Sequence, residues 1–111
     1  MAVPIREIPA LETKTLLDRG EKLRLIDCRE KDEFALCRIE GAELIPLSIF
    51  AGVAREHLAD LHEPIIIYCH AGVRSARAAL YLTQLGYTNV RSMAGGIDAW
   101  SLDVDPAVPR Y

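Results

Sequence analysis

The segment Ile65–Ser75 reads IIIYCHAGVRS. Its first four residues form a continuous apolar run, which predicts a short strand buried on both faces of a sheet. The Ala-rich residues from Ser75 to Leu85 have helical spacing and precede Gly86, a predicted left-handed C-cap. Cys69 is therefore expected between a strand and a helix, where free backbone amides and the positive end of the helix dipole favour a thiolate or a persulfide.

Two further helices are predicted from apolar spacing and caps. The first lies between Pro9 and Gly20 and has leucines at positions 11, 16 and 17, which are expected to cover one sheet face. Ser48 is the predicted N-cap of the second, which reaches about Leu61, although the glycine at position 52 weakens it.

Leu23–Asp27 and Val90–Met93 are predicted strands on either side of Ile65–Tyr68. Strands that alternate with helical patterns predict an α/β fold, with a central, mostly parallel sheet and helices on both faces. In such sheets ligands bind beyond the carboxyl ends of the strands, and Cys69 directly follows one of these ends.

Composition favours one domain over residues 1–111, with an extended tail over 103–111. The net charge is −3 and the basic residues are scattered, which argues against nucleic acid or an anionic membrane as partner. No apolar segment is long enough for a membrane span, and residues 1–6 lack the apolar core of a secretory signal. A cytoplasmic location is therefore expected.

The three cysteines, Cys28, Cys37 and Cys69, lack the paired spacing of a zinc site. Free thiols in a reducing compartment are the simplest interpretation. No metal ion and no organic cofactor is expected.

The chain resembles the rhodanese-like domain family of single-domain sulfurtransferases. The active-site signature Cys-x-x-Gly-x-Arg-Ser matches residues 69–75, after the predicted strand. Three other segments resemble the family in the same order along the chain: LIDCR at 25–29, EF at 33–34 with IEGA at 39–42 and IP at 45–46, and GGIDAW at 95–100. The resemblance covers most of the chain.

The resemblance implies a double displacement. The Cys69 thiolate takes the outer sulfur of a small donor, thiosulfate or a persulfide, and a thiol, cyanide or a sulfur-carrier protein then takes it from the Cys69 persulfide. A low-pKa thiolate needs no general base for this attack. The tail ends in DPAVPRY, which resembles the ends of rhodanese domains fused to adenylylating enzymes that deliver sulfur to carrier proteins.

Cys69 is the predicted nucleophile, and the six residues after it are the predicted substrate-binding loop: His70, Ala71, Gly72, Val73, Arg74 and Ser75. Gly72 permits positive φ and close approach of an anion. Arg74 either orients a sulfonate or pairs with a surface carboxylate, and His70 either shapes the mouth or is solvated. Ser75 is expected to cap the helix amides, and it also lies in position to contact the Cys69 sulfur.

Asp27 and Arg29 share one side of a strand end, whereas Cys28 faces the other side. The resemblance implies that Asp27 braces neighbouring loops and that Arg29 pairs with Glu33, both behind the site. Arg29 reaching the substrate is the other alternative.

Cys37 and Arg38 depart from the family pattern, which has Gly-His before the position of Ile39. Arg38 either adds a basic side chain near the anion pocket or is solvated. Cys37 either resolves a Cys69 persulfide or sulfenic acid as a disulfide or is simply packed in the core.

Two other functions stay open. A phosphatase or arsenate reductase of the Cdc25 type shares the fold, but its cysteine-to-arginine loop is longer than the four residues between Cys69 and Arg74. A non-catalytic binding module or a persulfide carrier, docking on a partner protein, is the second alternative. A carrier would load from a protein persulfide and ignore thiosulfate.

Overall fold

The computed structural model describes residues 5–111. The elements are β1 (Glu7–Ile8), α1 (Ala10–Asp18), β2 (Arg24–Asp27), α2 (Lys31–Leu36), β3 (Glu43–Leu44), α3 (Leu47–His57), β4 (Ile65–Tyr68), α4 (Val73–Gln84), β5 (Val90–Met93) and α5 (Gly96–Asp103). Met1–Pro4 lie outside the described residues. They belong to two of the predictions, the single domain over 1–111 and the lack of a secretory signal in residues 1–6. The single-domain assignment stays a prediction.

The five strands form one parallel sheet in the order β1-β5-β4-β2-β3. Strand β4 is central in this order, and all four of its residues are buried, as its continuous apolar run predicts. The predicted α/β fold with a parallel sheet is confirmed. Strands β4 and β5 have their predicted bounds, and β2 begins one residue later than predicted.

Side chains from the two faces of the sheet enter two separate cores. Ile65 and Ile67 pack with residues of α3 and α4, whereas Ile66 and Tyr68 pack with residues of α1 and α5. Helices therefore cover both faces, as predicted. Trp100 of α5 is buried in the second core and anchors that helix.

Several local predictions need correction. Leu11 is 59% exposed, because α1 turns Ala10 and Thr13 inward instead. Helix α3 begins after Pro46 and ends at His57, and the Ser48 hydroxyl donates to Glu30 Oε1 at 2.7 Å rather than capping the helix. Proline supplies this start because its fixed φ suits the approach to a first turn.

The structure also contains β1, β3 and α2, which the pattern did not predict, because each is only two to six residues long. Gly86, with φ of +102°, confirms the predicted left-handed residue after α4. Within residues 5–111, no helix combines the length and apolarity that crossing a membrane requires.

Candidate active site

The loop 69–72 joins the carboxyl end of β4 to the first turn of α4. Gly72 is the residue before α4 and has φ of +105°, a conformation that glycine adopts without strain. Its amide donates a hydrogen bond to the Cys69 sulfur at 3.0 Å. The loop therefore curls around the sulfur, and Cys69 itself is buried at the base of the curl.

The start of α5 holds this loop from behind. The amides of Ile97 and Asp98 donate to the carbonyl oxygens of Cys69 and His70 at 2.8 and 3.0 Å. A Cβ on Gly96, which has φ of +58°, would overlap both of these oxygens. Helix α5 therefore fixes the orientation of these loop carbonyls.

Two serine hydroxyls form a chain that begins at the Cys69 sulfur. The Ser75 hydroxyl lies 3.4 Å from Cys69 Sγ and 2.7 Å from the hydroxyl of Ser92 on β5. When Ser75 donates to a Cys69 thiolate, Ser92 is left to donate to Ser75. The prediction that Ser75 caps helix amides is wrong, because α4 begins two residues earlier, at Val73. The Ser75 hydroxyl instead contacts the Cys69 sulfur, the Ser92 hydroxyl and the Gly72 carbonyl.

These donors together determine the ionisation of Cys69. The Cys28 thiol makes the largest contribution by hydrogen bonding, followed by the Ser75 hydroxyl and the amides of Ser75 and Gly72. They outweigh burial and lower the pKa of Cys69 to about 4. The pKa of Cys28 is raised, because it donates to the neighbouring sulfur and is buried. The site thus holds one thiolate and one thiol.

Arg74 forms a two-point ion pair with Glu33 of α2, with N–O distances of 2.6 and 2.8 Å. The guanidinium lowers the pKa of Glu33 to about 2. The predicted alternative in which Arg74 pairs with a carboxylate is the arrangement seen. The pair joins α2 to the first turn of α4 at the edge of the loop.

Asp27 and Arg29 form a fully buried pair on the opposite side from Cys28, as their alternation predicts. Arg29 Nη2 donates to Asp27 Oδ2 at 2.7 Å and to the Cys37 carbonyl at 2.6 Å. The prediction that Arg29 pairs with Glu33 is wrong, since Asp27 takes this guanidinium and Arg74 takes the glutamate. Asp27 and Arg29 do brace the segment at Cys37.

Cys37 and Arg38, which depart from the family pattern, have different surroundings. Cys37 is buried in the core on the opposite face of the sheet from Cys69, with its sulfur 3.8 Å from Arg29 Nη1. This is the packed-cysteine alternative. The Arg38 guanidinium stacks 4.1 Å from the Phe34 ring centre and its side chain is exposed, which is the solvated alternative.

The tail returns to the site, which the extended-tail prediction missed. Arg110 pairs with Asp98 at 2.8 Å, and the Tyr111 ring lies 4.1 Å from the His70 ring, centre to centre. The Tyr111 hydroxyl accepts from Arg29 Nη1 at 2.9 Å and donates to Glu33 Oε2 at 2.7 Å. Nothing in the sequence pattern signalled this contact.

The six predicted loop residues follow Cys69 directly, and they differ in exposure. Ala71 and Val73 are exposed, with Val73 at 70%, whereas Ser75 is fully buried. Cys28 and Ser92 were missed as contacts of the site. Cys28 carried a signal, because both cysteines directly follow predicted strands; Ser92 carried none. Within the described residues, no group of three or more His, Cys, Asp or Glu side chains is placed to hold a metal ion.

The chain is similar to known proteins over most of its length. The family model of the rhodanese-like domain matches residues 10–103. The chain is 40% identical over 105 residues to a thiosulfate sulfurtransferase, GlpE, of Haemophilus influenzae, and the match covers 92% of this chain and 96% of that protein. It is 26% identical to the human single-domain sulfurtransferase TSTD1, with a TM-score of 0.77, covering 90% of this chain and 98% of the other.

A longer relative is the probable adenylyltransferase/sulfurtransferase MoeZ of Mycobacterium tuberculosis, which is 37% identical over 102 residues. The match covers 90% of this chain but 26% of that protein. The chain thus spans about a quarter of the length of such relatives and nearly the whole length of the single-domain ones.

Proposed function

The chain belongs to the rhodanese-like domain family, and from that premise we propose that it is a sulfurtransferase that carries a sulfane sulfur as a persulfide on Cys69. One observation carries the proposal: the Cys69 sulfur lies at the start of α4, accepts the Gly72 amide at 3.0 Å and has a pKa of about 4. Such a sulfur is a thiolate at neutral pH and attacks without a base.

In the first half-reaction, the Cys69 thiolate attacks the outer sulfur of thiosulfate. The S–S bond of the donor breaks and sulfite leaves with its electron pair. The loop amides and the dipole of α4 stabilise the negative charge, which moves from Cys69 Sγ to the terminal sulfur of the persulfide. The acceptor, a thiol or cyanide, then attacks that terminal sulfur and regenerates the thiolate.

Thiosulfate is the proposed donor because two relatives of nearly the same length, both GlpE proteins, are named thiosulfate sulfurtransferases. The Arg74 guanidinium is held by Glu33 next to the loop, where its charge adds to the attraction of an anionic donor. We place the protein in a reducing, cytoplasmic compartment, a location that its three free thiols suit.

A carrier that receives sulfur from a protein persulfide is the second candidate. Its support is the relative MoeZ, whose name joins adenylyl and sulfur transfer. A phosphatase is disfavoured, because four residues separate Cys69 from Arg74 and the guanidinium is already bound to Glu33.

The test is the non-reducing intact mass after incubation with thiosulfate, beside Cys69→Ser. A gain of one sulfur that cyanide removes, and that the variant lacks, is expected. Loading by a protein persulfide but not by thiosulfate would favour the carrier. Loading by neither donor would refute the sulfurtransferase assignment.

A further inference from the structure

A second thiol lies directly beside Cys69. Asp27 of β2 pairs with Tyr68 of β4 in parallel register, and the Cys28 amide continues the ladder by donating to the Tyr68 carbonyl at 3.0 Å. Cys28 and Cys69 are therefore the next neighbours along these two strands. Both side chains enter the core that also contains Ile67, and both are buried.

This register gives the two Cα atoms a separation that a disulfide can span. Neighbouring strands lie about 4.8 Å apart, and disulfides join Cα atoms that are roughly 4.4–6.8 Å apart. Each sulfur also affects the ionisation of the other: the pKa of Cys69 is lowered and the pKa of Cys28 is raised. Cys37, for which a resolving role was one of two alternatives, packs in the core on the other face of the sheet.

We propose that Cys28 is a resolving thiol that releases the sulfur carried by Cys69 as sulfide. The inference rests on the proposed persulfide. The Cys28 sulfur attacks Cys69 Sγ, the bond from Cys69 Sγ to the sulfane sulfur breaks, and a Cys28–Cys69 disulfide forms. The sulfane sulfur leaves as hydrosulfide and takes the Cys28 proton. The thiol is oxidised as the sulfane sulfur is reduced, so the step needs no external oxidant; a dithiol reductant then restores both thiols.

Charge explains why the two cysteines act in sequence. While Cys69 is a thiolate, Cys28 remains its protonated donor and does not compete for the sulfur donor. Once Cys69 carries a persulfide, the negative charge moves to the terminal sulfur, on the side of the loop amides. Cys28 then lies beside an inner sulfur that has lost its charge and is open to attack.

The experiment begins with the persulfide-loaded protein, freed of donor and kept without reductant. Released sulfide is trapped with a fluorogenic thiol reagent, and the non-reducing intact mass and peptide map are recorded over time. We expect sulfide and a Cys28–Cys69 disulfide to appear together. The final mass should be that of the reduced protein minus the two thiol hydrogens.

Cys28→Ser is the main variant, because its hydroxyl keeps a donor for Cys69 while removing the attacking sulfur. Its loading is measured separately, and the fraction that carries a persulfide should keep its sulfur and release sulfide only at the background rate. Cys28→Ala is made in parallel in case serine is not tolerated at this buried position. Cys37→Ser is the matched control, removing a buried thiol from the other core, and it should release sulfide like the unmodified chain.

Equal sulfide release by the Cys28 and Cys37 variants would overturn the proposal, as would a loaded protein in which Cys28 stays unlinked. A chain that never loads would instead count against the proposed function. In that case, diamide oxidation of the unloaded protein tests the geometry separately. A Cys28–Cys69 disulfide in the peptide map supports the placement, and its absence contradicts it.

Discussion

Replacing Gly96 by alanine tests whether α5 shapes the active-site loop. At φ of +58° an added Cβ would overlap the carbonyl oxygens of Cys69 and His70, so the loop or α5 must move apart. Alanine in a left-handed conformation costs roughly 1–2 kcal/mol. The shift also weakens the two hydrogen bonds that these carbonyls accept, and each is worth about 1 kcal/mol.

Gly20→Ala is the matched control. Gly20 has φ of +71°, and an added Cβ there meets no atom within 4 Å, so this variant carries the conformational cost alone. The free energy of unfolding should therefore fall by about 2 kcal/mol more in Gly96→Ala than in the control. Urea unfolding followed by the fluorescence of Trp100, the single and buried tryptophan, measures this difference.

The same pair of variants has a chemical readout. A shift of the loop weakens the hydrogen bond from the Gly72 amide to the thiolate, so the midpoint of the pH profile for Cys69 alkylation should rise in Gly96→Ala but not in Gly20→Ala. Equal losses of stability in the two variants, together with identical pH midpoints, would refute the role assigned to Gly96.

Three further predictions follow from the buried pairs. Asp27→Asn leaves the Arg29 charge without its counter-ion and should lower the free energy of unfolding by about 3–5 kcal/mol in urea; a loss below 1 kcal/mol would contradict it. The alkylation rate of Cys69 should stay constant from neutral pH downward and fall only through about pH 4, because protonation below the pKa removes the nucleophile; a midpoint near that of a free thiol would be evidence against the thiolate. Ser92→Ala should raise this midpoint, since Ser75 loses the donor that polarises its own O–H bond and strengthens its donation to the sulfur; an unchanged midpoint would exclude that relay.

Local sequence was sufficient to predict the central part of the fold. A continuous apolar run can only be buried, and this property gave β4 its bounds and placed Cys69 at a strand end. The short elements escaped because two residues, as in β1 and β3, carry no period that could be recognised.

Contacts between distant segments were harder to predict, because they depend on strand order. Nothing local indicates that β2 lies beside β4, although that pairing alone brings Cys28 to Cys69. The same holds for Ser92, which reaches Ser75 only because β5 borders β4 on the other side. The expected pairing of Arg29 with Glu33 was wrong for a related reason, since three-dimensional packing gave each of them a different partner.

The pairing of Cys28 with Cys69 leads to opposite effects on the two halves of the proposed reaction. As a proton donor, Cys28 lowers the pKa of Cys69 and so favours loading. As a buried thiol beside the loaded sulfur, it limits how long the persulfide survives. Serine removes the attacking sulfur but keeps a donor, so it should prolong the persulfide once the protein is loaded, whereas alanine should also raise the pKa of Cys69. The difference between these two variants separates the electrostatic role of Cys28 from its chemical one, because only the alanine variant loses both.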